Sequence, residues 1–199
     1  SDLMAIQPVI PVITIERVDD AARLAETLVA AGLPVLEVTL RTPAAIACIE
    51  EMSSVPGAIV GAGTVLNAES LDRAREAGAA FIVTPGLSES TVTAADASGI
   101  PILPGVATAT ELMAGLDLGL TRFKFFPAES SGGVAALKSF AGPFPQARFC
   151  PTGGIDAAKA PAYKALPNVI TVGGSWMLPK AAIEAGRWDE IEALARAAS

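Results

Sequence analysis

The sequence predicts an α/β fold, a single-domain (β/α)8 TIM barrel spanning residues 1–199, and three observations predict it. Eight short apolar, β-branched runs recur with starts separated by 26, 23, 23, 20, 21, 26 and 21 residues, the repeat of a strand plus a loop and a helix. The runs are apolar at nearly every position rather than at alternate ones, as strands are when a parallel sheet is covered by helices. An open doubly wound sheet would be expected to carry a GxGxxG or GxxxxGK[ST] turn, and the chain has neither.

Residues 1–8 read as a short lead-in. The predicted strands follow at 9–15, 35–40, 58–65, 81–85, 101–106, 122–126, 148–151 and 169–172. Helical patterns lie between them, the clearest at 18–31, 44–52, 69–77, 109–118 and 183–198. Several helical patterns stop at a glycine, namely Gly32, Gly78, Gly99 and Gly119, the residue that best tolerates the left-handed backbone of a helix C-cap. No linker, low-complexity stretch or second domain interrupts the repeat.

Composition excludes several functions. Half of the residues are apolar and the mean hydropathy is +0.48, which rules out disordered and collagen-like classes. The longest uncharged stretch, residues 52–68, contains Pro56, Gly57, Gly61 and Gly63, so no membrane span is predicted. A net charge of −7 without basic runs argues against general nucleic-acid or anionic-membrane binding. There is no His, and the two cysteines, Cys48 and Cys150, lack metal-site spacing. They read as buried small apolar residues, and Trp176 and Trp188 as packing anchors. No signal-peptide pattern opens the sequence. The expectation is a cytoplasmic protein without metal or cofactor.

In a barrel, one strand parity faces the helices and the other the interior. On the second predicted strand the interior set is Val35, Glu37, Thr39 and Arg41; on the sixth it is Arg122, Lys124 and Phe126. Glu37 and Lys124 are thereby placed inside. Burying a charge costs several kcal/mol unless it is paired. Lys138, Lys159, Lys164 and Lys180 fall on helices or loops and read as solvated, whereas Lys124 is flanked by phenylalanine on both sides. Desolvation, with Arg122 and Arg41 near, is expected to lower its pKa below the ~10.4 of a free lysine and favour a neutral, nucleophilic amine. On spacing alone a structural Lys–Glu ion pair and a Schiff-base nucleophile stand level. Glu37 reads either as a proton carrier or as a counter-ion for Arg41. Arg41, at the C-terminal end of its strand, suits bidentate binding of a carboxylate. Arg122 and Arg148 begin their strands and read as plugs of the opposite mouth.

Glycines mark the rest of the C-terminal mouth. Gly153 and Gly154 follow the seventh strand beside Thr152; Gly173, Gly174 and Ser175 follow the eighth. Loops at these two places commonly bind phosphate through backbone N–H groups, although either pair taken singly is also compatible with a tight turn. Gly132–Gly133 reads as a turn and helix start. The Gly63–Thr64 and Pro85–Gly86 turns line the same mouth.

The strings LEVTLRT (36–42), GAGTVLN (61–67), TPG (84–86), LPG (103–105), RFKFFPAE (122–129), FCPTGGI (149–155) and GGSW (173–176), in register, resemble the bacterial 2-keto-3-deoxy-6-phosphogluconate (KDPG) aldolases, class I enzymes of the Entner–Doudoroff pathway. The resemblance runs from about Pro8 to the C-terminus. It departs at the start, where family members usually carry a longer segment before the first strand. It implies a homotrimeric barrel that cleaves a phosphorylated keto acid to pyruvate and glyceraldehyde 3-phosphate without a cofactor. By motif, it makes Lys124 the Schiff-base lysine and Glu37 the general acid/base. Arg41 and Thr64 would hold the pyruvyl carboxylate, and Pro85 and Phe126 would wall the imine. Thr152, Gly153, Gly154, Gly174 and Ser175 would line the outer site and phosphate pocket. Rival readings are the same chemistry on 4-hydroxy-2-oxoglutarate or the galactonate epimer, a phosphosugar isomerase or synthase, and an engineered barrel serving as an assembly subunit.

Overall fold

Eight parallel strands form a ring in the computed structural model, which describes residues 2–199. They are β1 (Val9–Ile13), β2 (Val35–Thr39), β3 (Ile59–Gly63), β4 (Phe81–Val83), β5 (Ile102–Leu103 and Gly105–Val106), β6 (Arg122–Phe125), β7 (Arg148–Pro151) and β8 (Val172–Gly174). The β5 strand is split at Pro104, which has no N–H to give a ladder. Its first half pairs with β4 and its second with β6. The ring closes where β8 pairs with β1 and meets β7 through the Thr152–Gly173 and Phe149–Val169 bridges. Ser1, the first residue of the predicted lead-in, lies outside the described residues.

The helices cover the outside of the ring. They are α1 (Ala21–Ala30), α2 (Ala45–Ser53), α3 (Ala68–Glu76), α4 (Glu89–Ser98), α5 (Ala109–Asp117), α6 (Gly133–Phe140), α7 (Ala160–Lys164), α8 (Lys180–Glu184) and α9 (Trp188–Ala198). Local chemistry sets their ends. Thr108 accepts from the Glu111 amide while the Glu111 carboxylate accepts from the Thr108 amide, a reciprocal cap that starts α5. Gly32, Gly78, Gly99 and Gly119 all have positive φ, as predicted for helix stops.

Strand parity divides the core into two layers. Leu36, Val38, Phe123, Phe125 and Phe149 face the helices, where Phe140 meets Phe125 edge-on and stacks on Phe149. Each buried phenylalanine contributes about 1.5–3 kcal/mol. Ile10, Val35, Phe81, Val83, Leu103 and Cys150 fill the interior. Gly61 leaves the space that the Phe81 ring occupies, since a Cβ there would lie 2.3 Å from the ring.

The lead-in lies across the N-terminal mouth and lines an open cavity of about 330 Å³ there with Ile10, Val35 and Phe81. A 3-10 turn, Leu3–Ala5, puts Met4 onto Ile10, Val35 and Phe81. Gln7 is buried and donates to the carbonyls of Val9 and Val35 while accepting from the Val35 amide. Arg122 pairs with Asp2 at 3.0 Å. Arg148 departs from its predicted role as a plug, because its guanidinium donates back to Pro145 and Ala147 of its own preceding loop. The plug is Met4.

Two predicted elements shift. The last strand was expected over residues 169–172, but the ladder runs over Val172–Gly174, with Val169 making one isolated bridge. Residues 173–174 pair with Ile10 and Pro11, so these two glycines belong to a strand whose lack of side chains admits close neighbours. The predicted helix 183–198 is broken into α8 and α9 at Gly186, which takes φ +66.

Candidate active site

Lys124 and Glu37 stand on β6 and β2, on opposite sides of an eight-stranded ring, and their side chains meet across its interior. Lys124 Nζ donates to Glu37 Oε1 at 2.9 Å. The two side chains are only 5% and 4% exposed. A pair so dry repays its desolvation only when the geometry is close and hydrogen-bonded. The neighbours explain why the geometry is possible. Gly105 and Cys150 flank Lys124 in the strand register, leaving small groups on either side of its stem. Glu37 leans over Gly63, where a Cβ would lie 2.2 Å from Oε1. The Phe126 ring lies 5.0 Å from the Lys124 nitrogen, face-on to the cation.

Around this pair the C-terminal strand ends bring most of the predicted residues together. Arg41 is exposed just past β2 and donates from Nε to Thr64 Oγ1 at 3.3 Å. Thr64, just past β3, has φ +58. A β-branched residue pays of order 1–3 kcal/mol to stay in that region, and such outliers concentrate at functional sites. Beyond β4, Thr84 donates to the Gly86 carbonyl at 2.7 Å and fixes the turn that carries Pro85. The half-buried Phe126 continues β6 over the amine.

The glycine side of the mouth is built differently from its sequence reading. Thr152 is buried in the barrel wall beside Cys150, with its hydroxyl filling the place where Gly173 would carry a Cβ. Gly174 is buried and overlain by the Trp176 ring, so the tryptophan anchors that turn. Gly153 and Gly154 form the loop proper, with φ +110 and +74, and Ser175 is exposed at the rim. Burial pushes the Cys150 thiol up to about 12 and the Cys48 thiol up to about 11, in keeping with inert core residues.

One group escaped the sequence reading. Glu129 accepts hydrogen bonds from the buried Tyr163 hydroxyl and from Lys159, the latter at 2.8 Å. Lys159 also donates to the Gly154 carbonyl at 3.0 Å, so it is engaged rather than merely solvated. Lys159 first, and then Tyr163, hold the Glu129 carboxyl below the usual carboxylate range. Burial and the same carboxylate push the Tyr163 phenol up. Glu129 ends the RFKFFPAE string, five residues after Lys124, so the signal was its place in that string.

A buried amine, an acid touching it and an exposed arginine at the rim form a constellation for imine chemistry on a keto acid. The family model described as KDPG and KHG aldolase matches residues 1–194. A 2-dehydro-3-deoxy-phosphogluconate aldolase of Zymomonas mobilis is 56% identical over 99% of this chain and 93% of its own. The KHG/KDPG aldolase of Escherichia coli K12 is 53% identical over 96% of this chain and 90% of its own. A solved KDPG aldolase of Legionella pneumophila, with pyruvate captured as a covalent carbinolamine, is 47% identical and superposes with a TM-score of 0.95 over 98% of this chain and 96% of its own. The chain belongs to the KDPG and KHG aldolase family.

Proposed function

We propose that the protein is a class I aldolase that cleaves 2-dehydro-3-deoxy-6-phosphogluconate to pyruvate and D-glyceraldehyde 3-phosphate through an imine on Lys124. The observation that carries the reading is the buried 2.9 Å contact between the Lys124 amine and the Glu37 carboxylate. Transfer of one ammonium proton along that bond frees the nitrogen lone pair to add to the C2 ketone. Glu37 then returns the proton to the departing carbinolamine hydroxyl, leaving a protonated imine. That cation takes up the electron pair of the C3–C4 bond as Glu37, directly or through a water, accepts the C4 hydroxyl proton and the aldehyde leaves. Glu37 gives that proton to C3 of the resulting enamine, and addition of water to the imine releases pyruvate and returns the free amine.

In this reading Arg41 and Thr64 hold the carboxylate, and Pro85 and Phe126 wall the imine. Gly153, Gly154 and Ser175 line the outer site and phosphate pocket, with the buried Thr152 and Gly174 behind them in the wall. Fixing both substrate ends holds the scissile bond near the amine. The working assembly is a homotrimer in the cytoplasm; among the described residues no helix is long and apolar enough to cross a membrane.

A second substrate has support. The family description and the Escherichia coli relative both name KHG, so 4-hydroxy-2-oxoglutarate is expected to be cleaved by the same imine. The test is incubation with pyruvate and borohydride, followed by mass spectrometry of the modified peptide. One adduct on Lys124 is expected, absent from Lys124→Ala. An adduct that persists in that variant assigns the chemistry to another lysine.

A further inference from the structure

We infer that Glu129, Tyr163 and Lys159 form a positioning device that holds the Gly153–Gly154 loop in an anion-accepting conformation. The inference rests on the phosphorylated substrate proposed above and assigns selectivity for its phosphate to residues outside the pocket. Both glycine carbonyls are tied to this cluster. The Glu129 amide donates to the Gly153 carbonyl at 3.1 Å, and the Lys159 ammonium donates to the Gly154 carbonyl at 3.0 Å. With one carbonyl held by the Glu129 amide and the other by the Lys159 ammonium, the loop keeps their negative dipole ends away from an approaching anion.

The cluster is rigid where it must be. Tyr163 is 1% exposed and anchors the Glu129 carboxylate from the core, while Lys159 reaches the other carboxylate oxygen from the start of α7. Gly154 packs on the Glu129 stem so closely that a Cβ would lie 2.8 Å from its Cγ. The main chain runs only five residues from Lys124 to Glu129, so one short segment carries both the reacting amine and the hub that sets the loop. Losing the Lys159 contact removes the side-chain bond that holds the Gly154 carbonyl and frees that peptide to rotate.

The test compares the phosphorylated substrate with the same keto acid lacking phosphate, using Lys159→Met, Lys159→Arg and Glu129→Gln. Lys159→Met is expected to raise KM for the phosphorylated substrate about tenfold while kcat stays within about twofold. Its kcat/KM on the unphosphorylated acid is expected to match wild type, and Lys159→Arg to recover most of the loss. Glu129→Gln keeps an acceptor for Tyr163 but drops the charge that holds Lys159, so KM is expected to rise in the same substrate-selective way. An unchanged KM, an equal loss on both substrates, or tighter phosphate binding in Glu129→Gln overturns the positioning role. The last would mean that Lys159 binds the anion itself and that Glu129 merely competes with it. A wild-type enzyme without preference for the phosphorylated acid overturns the proposed substrate first, and the positioning role with it.

Discussion

Gly63→Ala is the smallest change that separates Glu37 from Lys124 without touching either. A Cβ at position 63 lies 2.2 Å from Glu37 Oε1 and 2.8 Å from its Cγ, whereas ordinary contacts begin near 3.5 Å. The carboxylate must therefore retreat by about 1 Å or more, which stretches the 2.9 Å bond to the amine beyond hydrogen-bonding range. Gly63 does not occupy the left-handed region, so the backbone accepts alanine and the effect comes from this collision alone. A displacement of that size is expected to lower turnover by about 10²-fold. Overpacking of the interior costs about 1–3 kcal/mol, a fall of several degrees in Tm for a chain of this length. The assay is the initial rate of aldehyde release at saturating substrate, run beside thermal unfolding and the mass of the borohydride-trapped pyruvate adduct. The folded variant is expected to form the adduct slowly and to turn over poorly. A folded Gly63→Ala protein with turnover within about threefold of wild type would refute the argument that Glu37 must sit against the amine.

Lys124→Met leaves the Glu37 carboxylate buried without its partner and is expected to destabilise the fold by about 3–5 kcal/mol. Adding Glu37→Leu is expected to recover most of that loss; thermal unfolding of the three proteins checks it, and a stable single variant would mean that the pair is not held dry. Above pH 9 the thiols of the unfolded chain ionise, whereas burial keeps Cys150 protonated up to about 12. The native state then binds more protons than the unfolded one, so stability falls as pH rises from about 9. Cys150→Ala is expected to flatten that part of the Tm–pH curve, and a curve of unchanged slope would contradict it.

The ring and its parity were legible because the strands are apolar at nearly every position, so the charges at positions 37 and 124 were expected on the inward face. What composition and spacing could not give was distance. Glu37 and Lys124 are 87 residues apart and on opposite walls, and their contact depends on barrel diameter and on the room that Gly63 leaves for the Glu37 side chain. The last strand was misplaced for a related reason. The β-branched run 169–172 resembles a strand, yet the ladder prefers Gly173 and Gly174, whose missing side chains make way for the Thr152 hydroxyl and the Trp176 ring. Glu129 went unread because a lone acid in a loop has no periodicity to betray it; only the fold brings Tyr163 and Lys159 to it.

The two sides of the mouth are stabilised by opposite means. Just past β3, where the proposed reading puts the substrate carboxylate, Thr64 sits at φ +58, a conformation that glycine would adopt with less cost but without a hydroxyl to meet Arg41. The strain persists because β3 is paired with β2 along five residues up to Gly63, and the chain has no freedom to relax at the next position. Just past β7, at the proposed phosphate end, Gly153 and Gly154 adopt positive φ without that penalty, but their peptides are then free to turn. Order there has to come from outside the loop, and the Glu129 amide and the Lys159 ammonium supply it. Between these two sides, Lys124 and Glu37 stand on strands of the ring itself, β6 and β2, and meet inside it. On the proposed reading, a substrate gripped at both extremities is presented to an amine whose position is set by the barrel itself.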